Sequence, residues 1–395
     1  MLAFSGEDVG GVATMRLIRQ RSAGSESVLM NHLSRQHIFP VASFAVAILL
    51  QVTAGWRAVD GIAIEFLIGI AAITFVIFTI FAALHHAEAI AQRLGEPYGT
   101  LVLTLAVTII EVSIILSMML YGENNPTLAR ESVFSTVMIV CTGVVGLAIS
   151  LGALRHKRQE INVQGATAFM SVLIAITGLT MVLPNYTLSA GTGTFTPLQL
   201  SFVSLLSLLL YASFLFAQTV GQKADFLERQ ALEDDHIHHD EHSGSIGGHI
   251  IFLFAGLIGI VLLTEFVASS VENALDYLEL PQTDAIIGAM IAIVILMPEA
   301  ISALKASVRN QLQRGLNIAL GSACASIGLT IPAVSVASLI ADKPITLGLT
   351  SGDTILLFLA LTMSVVSFNT GRTTLLTGLA HLVLFVAYAM LIIAP

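Results

Sequence analysis

The chain has 395 residues, of which 55% are hydrophobic and 11% charged, with a mean hydropathy of +0.88 and a formal net charge of −9. This balance excludes an ordinary soluble core, offers no basic surplus for nucleic acid, and marks an integral membrane protein. Two cysteines, Cys141 and Cys324, fall in apolar stretches with no CxxC pair, so no disulfide framework organises the chain.

Residues 1–38 are polar and lack a short apolar core followed by a small-residue cleavage site, which reads as a cytoplasmic N-terminal tail and not a secretory signal. Eleven mostly apolar runs follow, near 39–54, 62–84, 99–121, 132–153, 165–183, 198–219, 249–270, 284–304, 315–340, 350–368 and 373–394. Each is long enough to cross a hydrocarbon core of roughly 30 Å as a helix, and backbone exposed to lipid must satisfy its hydrogen bonds internally. The expected fold class is an all-α membrane protein of about eleven transmembrane helices. With the N-terminus inside, inner segments hold about fourteen Lys and Arg and outer loops only Arg57, Arg130 and Lys343, the asymmetry that orients a multi-pass chain. The expected location is a cell membrane, the cytoplasmic (inner) membrane of a bacterium.

The segment 220–248, with "ERQALEDDHIHHDEHSG" at 228–244, breaks the pattern of short loops. It separates a first transmembrane half, 39–219, from a second, 249–395. Its imidazoles and carboxylates suit either a flexible acidic cytoplasmic linker or a Zn²⁺ or Ni²⁺ site. One helix plus five precede it and five follow. Because five is odd, two related blocks of five would lie in the membrane with opposite orientations, as in many secondary transporters. The blocks correspond in order: "IEFLIG" (64–69) with "TEFVAS" (264–269), then a central Glu in the second helix of each.

Those central acids are Glu111, in "LAVTIIEVSII" (105–115), and Glu299, in "IVILMPEAISAL" (293–304). A charged carboxyl at a helix centre costs roughly 2.5–3.5 kcal/mol on insertion scales, so such residues are functional by default and face a wet cavity. Thr104, Thr108 and Glu111 share one helical stripe, Ser302 follows Glu299 by one turn, and Ser322, Ser326 and Thr330 recur at i, i+4 and i+8. Ser135 and Thr142 offer further hydroxyls. Oxygen donors around two acids suit a hard cation such as Ca²⁺ or Na⁺ as cargo, with no resident cofactor. Secondary candidates are Glu65 and Glu265, near the outer ends of their helices, and His381, a core histidine or a proton relay. Pro298 frees a carbonyl beside Glu299. No Gly-x-Ser-x-Gly, HExxH or phosphate-binding loop with Lys occurs, so neither a hydrolase nor an ATP-driven pump is indicated. A passive cation channel and a zinc exporter remain as alternatives to an antiporter.

The segments "LGEPYGTLVLTLAVTIIEVSIILS" (94–117), "PEAISALKASVRNQLQRGLNIALGSACASIGLTIP" (298–332), "TEFVASSVE" (264–272) and "SFNTGRTTLLTGLAHLVLFVAY" (367–388) together resemble the cation/proton exchangers of the calcium/cation antiporter superfamily, most closely the bacterial Cha type. The resemblance covers nearly all of the chain from about residue 60. It implies an exchanger in which Glu111 and Glu299 hold the cation in turn with protons, while the first helix of each repeat slides to open opposite sides. Many such exchangers have an Asn three residues before each central Glu. Here Thr108 and Leu296 stand there, which leaves fewer oxygens for Ca²⁺. The partners so implied are the transported cations, protons and the lipid bilayer.

Overall fold

The computed structural model describes residues 39–48, 62–94, 98–121, 125–188, 191–221, 246–277 and 282–394. The polar tail and most of the acidic linker lie outside the described residues. In chain order the helices are α1 (Phe39–Ile48), α2 (Ile62–Leu94), α3 (Tyr98–Tyr121), α4 (Leu128–His156), α5 (Val163–Tyr186), α6 (Pro197–Gly221), α7 (Ile246–Tyr277), α8 (Thr283–Val308), α9 (Leu312–Ala341), α10 (Ser351–Asn369) and α11 (Leu375–Ile393). Ten of them are long and apolar enough to span a bilayer, and α1 is a shorter apolar helix among the described residues. The expected helical membrane fold is present.

Three local features differ from expectation. Helix α2 continues ten residues past the end of its apolar run, to Leu94. Its extension, "HHAEAIAQRL", is polar but rich in strong helix formers, so the helix persists where hydropathy stops. Two residues on each of two linker-side loops, Gln159–Glu160 and Arg372–Thr373, pair as a short antiparallel ladder, the one departure from an all-helical chain among the described residues. Helices α4, α5, α6 and α9 each contain a widened π turn, at Ile139–Val144, Gly178–Val182, Ala217–Gly221 and Ser326–Thr330. In α9 the cause is visible in the sequence: Pro332 has no N–H to return to the carbonyl of Gly328. The π turns of α4 and α9 fall in the third helix of each five-helix block, matching positions under the repeat expected from sequence.

Helix starts are fixed locally. Thr196 and Gln199 form a reciprocal capping box at α6, and Asn162, Thr350 and Thr374 accept backbone N–H bonds at the starts of α5, α10 and α11.

The buried apolar residues form two clusters. One joins α4, α5, α6, α9 and α10, with Phe134, Phe169 and Phe368 among its fully buried members. The other joins α2 and α7 through Val76, Ile80, Ala83, Leu257, Ile260 and Leu263. Helices α3 and α8 contribute to both: Ile110 and Ile114 face the second cluster, Ile115 and Met119 the first, and Ile295 and Leu296 divide likewise. The two helices that carry the central glutamates therefore stand at the seam between two packed bodies.

Candidate cation site

At this seam lies a cavity of about 280 Å³, lined by Thr104, Thr108 and Glu111 of α3, Tyr211 and Gln218 of α6, Glu299 of α8, and Arg314, Asn317, Ser322 and Ser326 of α9. Glu111 is 2% exposed. Ser326 Oγ donates to Glu111 Oε2 at 2.6 Å, and the buried Thr330 hydroxyl sits beside the same carboxylate. Three buried oxygens here have no hydrogen-bond partner: Glu111 Oε1, Glu299 Oε2 and Thr330 Oγ1. Buried polar atoms are almost always satisfied, so unpaired acceptors beside a cavity fit a bound cation or proton. Neither acid belongs to the ion pairs Arg130–Glu131 and Arg372–Glu160.

Of the residues singled out from sequence, Glu111, Glu299, Thr104, Thr108, Ser322 and Ser326 line this one cavity. Ser302 does not: it is exposed. Three residues along a helix rotate the side chain by about 60° from its predecessor, and on α8 that carries Ser302 past the edge of the cavity. The hydroxyls beside the acids come from α9 and α3 instead. Ser135 is buried elsewhere, accepting from Tyr388 Oη at 2.7 Å, and Thr142 donates to Met138 O in its own helix. His381 is a satisfied core histidine: Nδ1 lies 2.7 Å from Cys141 O and Nε2 lies 2.9 Å from Ser367 Oγ. The side chains of Glu65 and Glu265 are outside the described residues.

Sequence reasoning missed four polar wall residues, Tyr211, Gln218, Arg314 and Asn317. Those on α9 were within reach, since 314, 317, 318, 321, 322, 325 and 326 make one unbroken helical face. Tyr211 and Gln218 sit on a helix with no charge to draw attention to it.

The cavity extends toward the linker-side ends of the helices. Gln218 lies in the last turn of α6, just before the linker, and exposed Arg314 lies in the first turn of α9. On the opposite side of the glutamates, among the described residues, lies a small apolar void of about 60 Å³ lined by Ile73, Val76, Ile114, Met118, Ile287 and Met290 among others, and at the far-side ends of the helices a separate cavity of about 190 Å³ is lined by Glu131, Gln282 and Asp353 among others.

A profile of the family described as "Sodium/calcium exchanger protein" matches residues 64–220 and 248–394. The chain belongs to that family. The two matched blocks flank the linker and correspond to α2–α6 and α7–α11. A relative from Sinorhizobium fredii, named "Putative ionic transporter y4hA", is 39% identical over 317 residues, spanning 80% of this chain and 86% of its own. The sodium-potassium/proton antiporter ChaA of Escherichia coli is 34% identical over 376 residues, spanning 94% of this chain and 100% of its own. The crystal structure of the Ca²⁺/H⁺ antiporter protein YfkE superposes with a TM-score of 0.67 at 18% identity, covering 91% of this chain and 99% of that one, which shows a shared fold. The exchanger reading from sequence is thereby supported at the level of family: a multi-pass membrane transporter of cations, not an enzyme.

One wall of the site depends on a glycine. A methyl group at Gly328, inside the π turn of α9, would stand 2.7 Å from Tyr211 Cβ. Gly328→Ala must displace Tyr211 at a cost of about 1–3 kcal/mol, and Tyr211 lines the cavity together with Thr104 and Glu111. We expect cation uptake by everted vesicles to fall by about tenfold in this variant, since the cost distorts the site itself. Gly178→Ala, also in a π turn but with nothing within 4 Å of the added carbon, serves as the matched control with near-normal uptake.

Proposed function

We propose that this protein is a secondary cation/proton antiporter that exports Ca²⁺, with Na⁺ or K⁺ as further cargo, from the cytoplasm in exchange for protons. The observation that carries this reading is the pair Glu111 and Glu299, brought from two different halves of the chain into one cavity with unpaired buried oxygens. Two carboxylates are neutralised equally well by one divalent cation, two monovalent cations or two protons. An exchange site needs that equivalence, because each occupant must exclude the other. The hydroxyls of Ser326, Thr108 and Ser322 supply neutral oxygens of the kind hard cations accept.

The cycle follows from the two packed bodies. With the acids deprotonated, a cation enters from the linker side past Gln218 and Arg314. The α2–α7 body then shifts against the α4–α6 and α9–α11 body, closing the linker-side cavity and parting the apolar packing around Ile114 and Met290. Protonation from the far side releases the cation, and the protonated, neutral site returns. Because a charged, empty site is costly to carry through the apolar seam, the carrier moves only when loaded. A passive channel would instead need a continuous wet path, and the described residues around the far-side void next to this site, Ile114, Met118, Ile287 and Met290 among them, are mostly apolar. The zinc-exporter alternative rests on the linker histidines, which lie outside the described residues. Among the described residues no three His, Cys, Asp or Glu side chains gather as a transition-metal site requires.

On this reading the N-terminus and linker are cytoplasmic, and the membrane is the bacterial cytoplasmic membrane. The test is a cation panel on everted vesicles holding a proton gradient, recording proton release on addition of Ca²⁺, Na⁺, K⁺ or Zn²⁺. Release with Ca²⁺, and with Na⁺ or K⁺, is expected. Cation flux that persists unchanged without any proton gradient or proton movement would indicate a channel.

A further inference from the structure

Away from the cation cavity, the linker-side ends of α2 and α7 are joined by two buried imidazoles. His86 Nδ1 and His249 Nδ1 lie 2.9 Å apart, with the two residues 0% and 8% exposed. Phe252 stacks on His86 at 5.3 Å and His85 meets it edge-on at 5.8 Å, so the ring is held from both sides. The pair lies within the body that contains α2 and α7, beside the close contact of Gly256 with Ala83. Neither histidine lines the cation cavity.

A 2.9 Å contact between two ring nitrogens holds one proton, carried by one nitrogen and accepted by the other. Protonating one ring on its remaining nitrogen preserves the N–H···N bond. Adding a second proton to the pair sets N–H against N–H and two like charges ring to ring, and the bond cannot survive. Among the described residues the charged and titratable groups on the neighbouring elements are few. On α2 itself there are His85, Glu88 and, at the helix end, Arg93; α7 brings His249 alone, since residues 250–263 have no titratable side chain. The facing stretch of α1, 39–48, has none, and α3 has no charged residue from 99 to Glu111. On α8, Glu299 is within electrostatic reach of Glu88, and Lys305 is exposed.

We propose that His86 and His249 are a proton-operated clamp, which holds α2 to α7 while the linker side is neutral or alkaline and opens when a second proton arrives, slowing exchange. The clamp deepens the antiporter reading and rests on it. An exchanger that releases protons to the linker side would stop acidifying that side once both imidazoles are charged.

The test uses the full chain reconstituted in liposomes at saturating Ca²⁺, where competition at the glutamates is overcome, with only the linker-side pH varied from about 8 to 5.5. The unsubstituted protein should lose rate by about tenfold toward the acid end of this range, where a second charge enters the pair against burial and the first charge. His86→Gln and His249→Gln, whose amides can bond without gaining charge, should keep their alkaline rate and lose the fall. Parallel pH profiles in all three proteins would overturn the clamp. An independent readout needs no transport: ¹⁵N-imidazole NMR of the unsubstituted protein should show a coupled N–H···N pair, absent from His249→Gln, that disappears on acidification. A pair that persists unchanged to pH 5.5 would overturn the clamp even if exchange is demonstrated, and a pair that disappears supports it even if the exchange reading fails.

Discussion

Glu111→Gln and Glu299→Gln should each abolish proton-coupled cation exchange while leaving membrane insertion near normal. The amide keeps the shape of the side chain but neither binds a proton nor supplies charge. A hydrogen bond or ligand contact to a charged group contributes about 1.5–3 kcal/mol, which is about ten- to a hundredfold in cation affinity for one lost charge, and a site left with one acid can no longer trade two protons for one divalent cation. Packing argues against a folding defect: Ser326 Oγ donates to Glu111 Oε2, a bond that the Gln carbonyl can also accept. Proton release on Ca²⁺ addition to everted vesicles measures the effect, with protein amount matched by immunoblot. Either variant retaining wild-type coupled flux would remove that residue from the site.

The second large effect is on pH. If the same two carboxylates hold cation and proton, each proton that must leave before a cation binds weakens apparent affinity tenfold per pH unit while that group is protonated. Two such protons give up to a hundredfold per unit at acid pH, and the dependence flattens once both acids are ionised. Because the two acids line one cavity and interact, the titration belongs to the pair and not to either residue. Equilibrium Ca²⁺ binding to purified protein across about pH 5 to 9 should show this steep and then flat profile. In Glu111→Gln the steep limb should fall to about tenfold per unit, one proton having been removed from the competition.

Much of this site is legible in the sequence, for a physical reason that differs from residue to residue. Glu111 and Glu299 stand out because a carboxyl amid apolar helix has few explanations other than function. Thr104 and Thr108 follow from periodicity on the same helix, and Ser322 and Ser326 from a hydroxyl stripe on another. Ser302 fails because sequence spacing gives the angle between two side chains but not which side of the first one the cavity occupies. Tyr211 and Gln218 are invisible for a related reason: they come from a helix whose sequence carries no charged residue, and only the packing of α6 against α9 brings them into the cavity with the acids. The π turns escape because hydropathy does not register one extra residue in a turn, although Gly328 and Pro332 together are its chemical signature in α9. The His86–His249 contact joins positions 163 residues apart and has no signal in either local sequence. Helix count and approximate limits are legible because bilayer thickness sets them. The seam between two packed bodies is not, since it depends on which face of each helix meets which neighbour.

The measurement that tests the shared-site account most directly is calorimetry of Ca²⁺ binding in buffers of different ionisation enthalpy, which counts protons released per cation bound. At a pH where the acids of the free protein are protonated, the account predicts release approaching about two protons per Ca²⁺, and a reduced number in Glu111→Gln or Glu299→Gln. Ca²⁺ binding with no proton release, or with release unchanged in both variants, would contradict it.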